Sequence, residues 1–125
     1  MFFLFAFLEV GHGEVRGRNF AAQSARVAFL YVTAEARERG GVGSAMTTEL
    51  LRFCFDELGE QQVQKVELAV FPQNARAVRV YQKCGMTIRE TQNFSFLGSI
   101  QAELLMMEIS REAFNASRLV AKGSE

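Results

Sequence analysis

Gly40, Gly41 and Gly43 crowd into one short stretch of the chain, after an apolar run at residues 28–32 and a polar turn at residues 33–39. Ser44 and Ala45 follow, and then Met46, Leu50, Cys54 and Leu58 recur every four positions, which marks one face of an α-helix. Glycines let the backbone adopt conformations closed to residues with a Cβ, and they let a ligand come close to main-chain N–H groups. A strand feeding a glycine turn and then a helix start makes an anion site, because unpaired N–H groups and the positive end of the helix dipole converge there. Phosphate is the matching guest, although glycine turns also join strands to helices for steric reasons alone. Two nucleotide motifs do not fit. A Walker loop needs Lys and then Ser or Thr after its last glycine, where this chain has Ser44 and Ala45. The dinucleotide fingerprint needs a small residue three positions after Gly43, and Met46 stands there.

Other reactive side chains are few. Cys54 and Cys84 both fall in helical patterns, there is no CxxC, and His12 is the single histidine, so no metal site is expected. His12 lies between two glycines and reads as a solvated loop residue, which leaves little support for a Cys-His acyl hydrolase. The 125 residues suit one domain over 1–125, and a 49% apolar composition can supply its core. Acidic and basic residues balance at 14 each, which argues against a general nucleic-acid binder. The first eight residues, MFFLFAFL, have no basic flank, and Glu9 cuts the run short of the roughly 20 residues a membrane span needs. No membrane partner is expected, and two unpaired cysteines suit a reducing cytoplasm.

The elements that must position these residues follow from periodicity and punctuation. Residues 2–10 read as a buried strand, and GHGEVRGRN after it as a hairpin turn. Residues 25–33 form the second strand, antiparallel to the first, and a helix spans about residues 44–58 with Gly59 as its C-cap. Residues 65–71 alternate as a third strand that Pro72 stops. Asn74 stands where an N-cap would, and its helix runs to Cys84 with Gly85 just past the end. Residues 87–97 and 101–109 make the last two strands, around a turn at Gly98 and Ser99. From residue 110 a short helical pattern (Phe114, Leu119, Val120) gives way to a frayed tail. The order β-β-α-β-α-β-β is mixed α/β, with about five mostly antiparallel strands and two main helices.

Asn74, Ala77, Tyr81, Lys83 and Gly85 have the spacing N-x-x-A-x-x-x-Y-x-K-x-G, followed by an apolar residue. This is similar to the second helix motif of the GCN5-related N-acetyltransferases, the GNAT family. The stretch LYVTAEARERGGVGSAM resembles that family's first motif, in which Arg or Gln, two variable residues, Gly, a variable residue and Gly or Ala cradle the pyrophosphate of coenzyme A. Both motifs stand in the family's order, and the resemblance covers about residues 25–109. Strict register puts Glu38 where the family has Arg or Gln, with Arg37 and Arg39 on either side. The family also has a strand, two helices and another strand ahead of these elements, and here only the last strand or two is visible. A minimal or truncated member is therefore expected, with a homodimer partner completing the acceptor wall or with that wall absent.

The resemblance implies acetyl-CoA as acyl donor and a small-molecule or peptide amine as acceptor. It implies that strand 25–33 splays from strand 65–71, so that main-chain groups of Leu30, Tyr31 and Val32 can bond the pantetheine amides. Gly40, Gly41, Val42, Gly43 and Ser44 would receive the pyrophosphate, with Arg37 and Arg39 adding charge, and Asn74 would bond the pantetheine arm or the turn backbone, although a plain N-cap explains it equally well. Acetyl transfer to an amine needs a deprotonated amine, a stabilised oxyanion and a proton for the departing thiolate. Tyr81 matches the family's proton donor; otherwise its ring packs a helix–strand contact. Glu9 and Glu67 are candidate bases on strands near the cleft, acting directly or through water, but a residue of this kind is more often just a solvated face residue, and neither is assigned the role. The second reading is a non-catalytic acyl-CoA-binding module, a sensor or assembly subunit on the same fold.

Overall fold

The computed structural model describes residues 3–7, 11–19, 21–35, 40–58 and 62–123. Its strands are β1 (Phe3–Phe7), β2 (Gly11–Asn19), β3 (Ser24–Val32), β4 (Lys65–Val70), β5 (Thr87–Phe96) and β6 (Ile100–Ser110). Helix α1 (Val42–Asp56) joins β3 to β4, α2 (Ala75–Lys83) joins β4 to β5, and α3 (Arg111–Gly123) follows β6. The strands form one six-stranded sheet in the order β1-β2-β3-β4-β6-β5. Among the described strand pairs only β3 and β4 run parallel, as the helical crossover between them requires. The mixed α/β, mostly antiparallel architecture is the expected one.

Three local expectations need correction. GHGEVRGRN is a strand, β2, and not a hairpin turn: it pairs antiparallel with β1 on one edge and β3 on the other. Two ladders of main-chain hydrogen bonds outweigh the low strand propensity of its glycines. His12 therefore sits in a strand opposite Tyr31 and not in a loop, and β1 is no neighbour of β3. The helical pattern after residue 110 is longer than its three apolar residues suggested. It forms α3 through Gly123, started by Ser110 Oγ, which accepts from Ala113 N–H at 3.0 Å, and anchored by Phe114, whose ring stacks on Phe55 with centroids 5.2 Å apart. Finally, α1 starts at Val42 and has its C-cap at Glu57; Gly59 lies outside the described residues.

Alternation on the strands decides which side chains meet the helices. Val15, Ala25, Val27, Val66, Leu68, Val70, Met107 and Ile109 form one buried cluster with Leu50, Leu51, Cys54 and Phe55 of α1 and Phe114 of α3. Ala77, Val78, Tyr81 and Cys84 bring α2 onto the same cluster, half-buried. The intervening positions carry charge on the opposite face. Glu67 Oε1 lies 3.1 Å from Lys65 Nζ and 3.2 Å from Arg89, and its other oxygen is 3.6 Å from Arg26. Glu108 joins them, 3.5 Å from Lys65.

Candidate active site

The pairing of β3 with β4 is short. Ser24↔Lys65, Ala25↔Val66 and Arg26↔Glu67 are in register, and beyond Arg26 and Glu67 the two strands make no further pairs. β4 stays paired to β6 as far as Val70, and β3 stays paired to β2 as far as Val32, so each strand is held on its outer edge while the inner edges part. A register shift lies opposite His12 and Gly13, where Tyr31 and Phe29 are the partners and Leu30 is the additional residue. Bulges of this kind bend a strand and re-aim its groups, here beside the opening. Tyr31 and Val32 thus pair in register with His12 and Gly11 of β2, Leu30 is the additional residue between Phe29 and Tyr31, and in the described strands none of the three pairs with β4.

The open strand leads to the start of α1. Gly40 and Gly41 both have φ near +74°, a left-handed conformation that a side chain would strain, and Gly41 is the N-cap. Its carbonyl accepts from Ala45 N–H at 3.0 Å, so the N–H groups of Val42, Gly43 and Ser44 precede the first intrahelical bond. No acidic residue occupies the first turn. Arg37 and Arg39 lie outside the described residues, as does Glu9.

Helix α2 holds that first turn from below. A Cβ on Gly43 would stand 3.6 Å from Val80 Cγ1, an ordinary contact, so the two helices already touch there. Cys84 Sγ donates to Ser44 O at 3.6 Å and lies 3.8 Å from Thr48 Oγ1. Burial pushes this thiol above its usual range, against a nucleophilic role, and Cys54 is buried in the core. The helix is fixed at both ends. Asn74 Oδ1 accepts from Ala77 N–H at 3.2 Å, the N-cap expected. At the other end Met86 N–H donates to Tyr81 O and Gly85 N–H to Gln82 O, both at 3.0 Å, a Schellman pair that needs Gly85 at φ +99°.

Tyr81 is half-buried against the core between those anchors. Burial, and then the neighbouring Cys84, push its phenol up to about 12, so it keeps its proton throughout the physiological range. Glu67 is a poor base. Burial raises its carboxyl, but the hydrogen bond from Lys65 and the charges of Lys65, Arg89 and Arg26 outweigh that and hold it below the usual range. Alternating charges at Lys65 and Glu67 hinted at this network in the sequence; its partners Arg26, Arg89 and Glu108 become visible only through cross-strand register. Glu14, buried in β2 and hydrogen-bonded by Arg16 Nε, was also missed. Among the described residues no cluster of His, Cys, Asp or Glu could hold a metal ion, and no helix is long and apolar enough to cross a membrane.

The model of the "Acetyltransferase (GNAT) family" matches residues 1–86. Among solved structures, the chain resembles a spermidine N-acetyltransferase from Vibrio cholerae in complex with CoA and spermine: 20% identity, TM-score 0.71, covering 85% of this chain and 60% of that one. The F149A mutant of the same Vibrio cholerae enzyme gives TM-score 0.73 at 20% identity, over 90% of this chain and 66% of the other. A chimera of that enzyme with hSSAT gives 0.70 at 22% identity, over 85% and 62%. This chain therefore spans about three fifths of the length of the first of these proteins. No curated protein matches its sequence significantly.

Proposed function

Because this chain belongs to the GNAT acetyltransferase family, we propose that it transfers an acetyl group from acetyl-CoA to a primary amine by direct attack. One observation carries the reading: β3 and β4 part after Arg26 and Glu67, and the opening runs along β3 toward a helix start with no acidic residue in its first turn. Acetyl-CoA is the family's acyl donor, and the residues present fit it. A parted strand edge can bond amides as a neighbouring strand would, and an uncapped helix start can take a diphosphate. When bound it would supply an activated thioester, an electrophilic acyl carbon for the amine.

The chain's own residues have three tasks in this reading. The main-chain groups of Leu30, Tyr31 and Val32 bind the pantetheine arm, and the amide hydrogens of Asn74 reach the same arm while its oxygen caps α2. The N–H groups at Gly40, Gly41, Val42, Gly43 and Ser44 hold the diphosphate, with Arg37 and Arg39 adding charge. Tyr81 holds the proton that the departing thiolate takes. An alkyl ammonium has a pKa of about 10.4 and must lose a proton before it attacks. With Glu67 tied to three cations, that proton goes to solvent in preference to Glu67.

The same proposal treats residues 1–125 as a single domain in the cytoplasm, paired as a homodimer whose second copy completes the acceptor wall; sedimentation of the purified chain checks the pairing. Calorimetry with acetyl-CoA, followed by thiol release over a panel of amines, tests the activity. Binding with release is expected. Binding without release with every amine would make the chain an acyl-CoA-binding module, and absence of binding would remove both readings.

A further inference from the structure

On the sheet face away from the helices, a groove of about 420 Å³ is lined by Arg16, Gly17, Asn19, Ala22, Ser24, Arg26 and Glu67. It lies at the root of the β3–β4 opening, since Arg26↔Glu67 is the last paired rung before the strands separate. Arg16 is the additional residue of a second register shift, where Val15 pairs with Val27 and Gly17 with Arg26. The bulge lets Arg16 line the groove beside Arg26.

The charges are layered. Arg16 bonds Glu14 through Nε, with the arginine side chain 53% exposed and the glutamate only 4%. Arg26 pairs with Glu67 at 3.6 Å, 56% exposed against 14%. The carboxylates thus lie beneath and orient the guanidinium groups, which face the groove. Each guanidinium has five N–H donors, more than its carboxylate contact uses. Asn19 Oδ1 accepts from Ala22 N–H at 3.1 Å, so its amide hydrogens are what it can offer a ligand, and buried Ser24 adds a hydroxyl. A Cβ on Gly17 would meet nothing within 4 Å, so the groove has room there. The lining is rich in donors, and planar guanidinium groups match oxyanions bidentately.

We propose that this groove binds an oxyanion, a carboxylate or a phosphate, carried by the acceptor amine, so that the preferred acceptors are anionic amines and not polyamines. The inference rests on the transferase reading for the amine, but the groove itself can be tested without transfer. Glutarate and propyl phosphate, which carry no amine, are titrated into the full chain by calorimetry. Binding of either supports the site and says which oxyanion it takes, provided it is weakened roughly tenfold or more in Arg16→Gln and Arg26→Gln. Thiol release is then compared for γ-aminobutyrate, 3-aminopropyl phosphate, butylamine and spermidine. An anionic amine should exceed butylamine in kcat/KM by roughly tenfold or more, and that ratio should fall toward one in both variants. If butylamine or spermidine is acetylated as well as the anionic amines and neither probe binds, the groove is no anion site while the transferase reading stands. If a probe binds with arginine dependence but no amine releases thiol, the groove stands and the transferase reading fails.

Discussion

Helices α1 and α2 begin in opposite ways. At α2, Asn74 closes the start by accepting from Ala77 N–H; at α3, Ser110 does the same for Ala113 and Glu112 adds negative charge to the first turn. At α1 the N-cap is Gly41, which has no side chain to offer, and the first turn has no acid. Capping is worth about 1 kcal/mol, so an uncapped helix start forgoes stability. What α1 keeps in exchange is a set of N–H groups and a positive dipole end available to an anion. The two helices also contribute different parts. α1 offers its start, whereas α2, closed at both ends, offers a side chain of its last turn, Tyr81.

That contrast can be broken at several places. Removing the phenol has the largest expected effect: Tyr81→Phe should lower turnover roughly 10²-fold or more while coenzyme A binds about as before. Unchanged turnover would take Tyr81 out of the chemistry. Gly85→Ala attacks the anchor behind Tyr81. At φ +99°, with a Cβ only 3.1 Å from Ile109 Cδ1, it should cost about 2 kcal/mol of stability in a denaturant titration. A cost near zero would mean that the end of α2 is not fixed by its Schellman pair.

Smaller effects sharpen the comparison of helix starts. Ser44→Asp gives α1 the acid it lacks; it should leave folding stability equal or slightly raised, yet weaken coenzyme A about tenfold by setting a carboxylate against the diphosphate. Equal affinity would move the diphosphate elsewhere. Asn74→Ala strips α2 of its cap and should cost about 1 kcal/mol of stability. No loss on denaturation would show that the Asn74–Ala77 bond matters little to the fold.

Much of this arrangement was legible in local sequence. Met46, Leu50, Cys54 and Leu58 recur at helical spacing, and all four are buried. Asn74 and Gly85 bracketed α2 because capping and left-handed termination depend on residues next to the helix. The alternation of residues 65–71 gave β4 for the same reason: Val66, Leu68 and Val70 face the core. β2 was invisible because its stability comes from two partner strands and not from Gly11, Gly13 or Gly17. The extent of the β3–β4 opening was equally hidden, since it depends on where a three-rung pairing stops. Arg26, Arg89 and Glu108 meet around Glu67 and Lys65 only once distant strands are set in register, so no short window of sequence could bring them together.

The main-chain amides of α1's first turn give the most direct test. In a nitrogen-edited NMR titration of the labelled chain with coenzyme A, the resonances of Val42, Gly43 and Ser44 should shift strongly, and those of Ala75, Arg76 and Ala77 at the capped start of α2 should shift far less. Pantetheine, which has no diphosphate, should leave the α1 amides nearly unmoved. Equal shifts at the two helix starts, or α1 amides that respond to pantetheine as they do to coenzyme A, would contradict a diphosphate seat on α1.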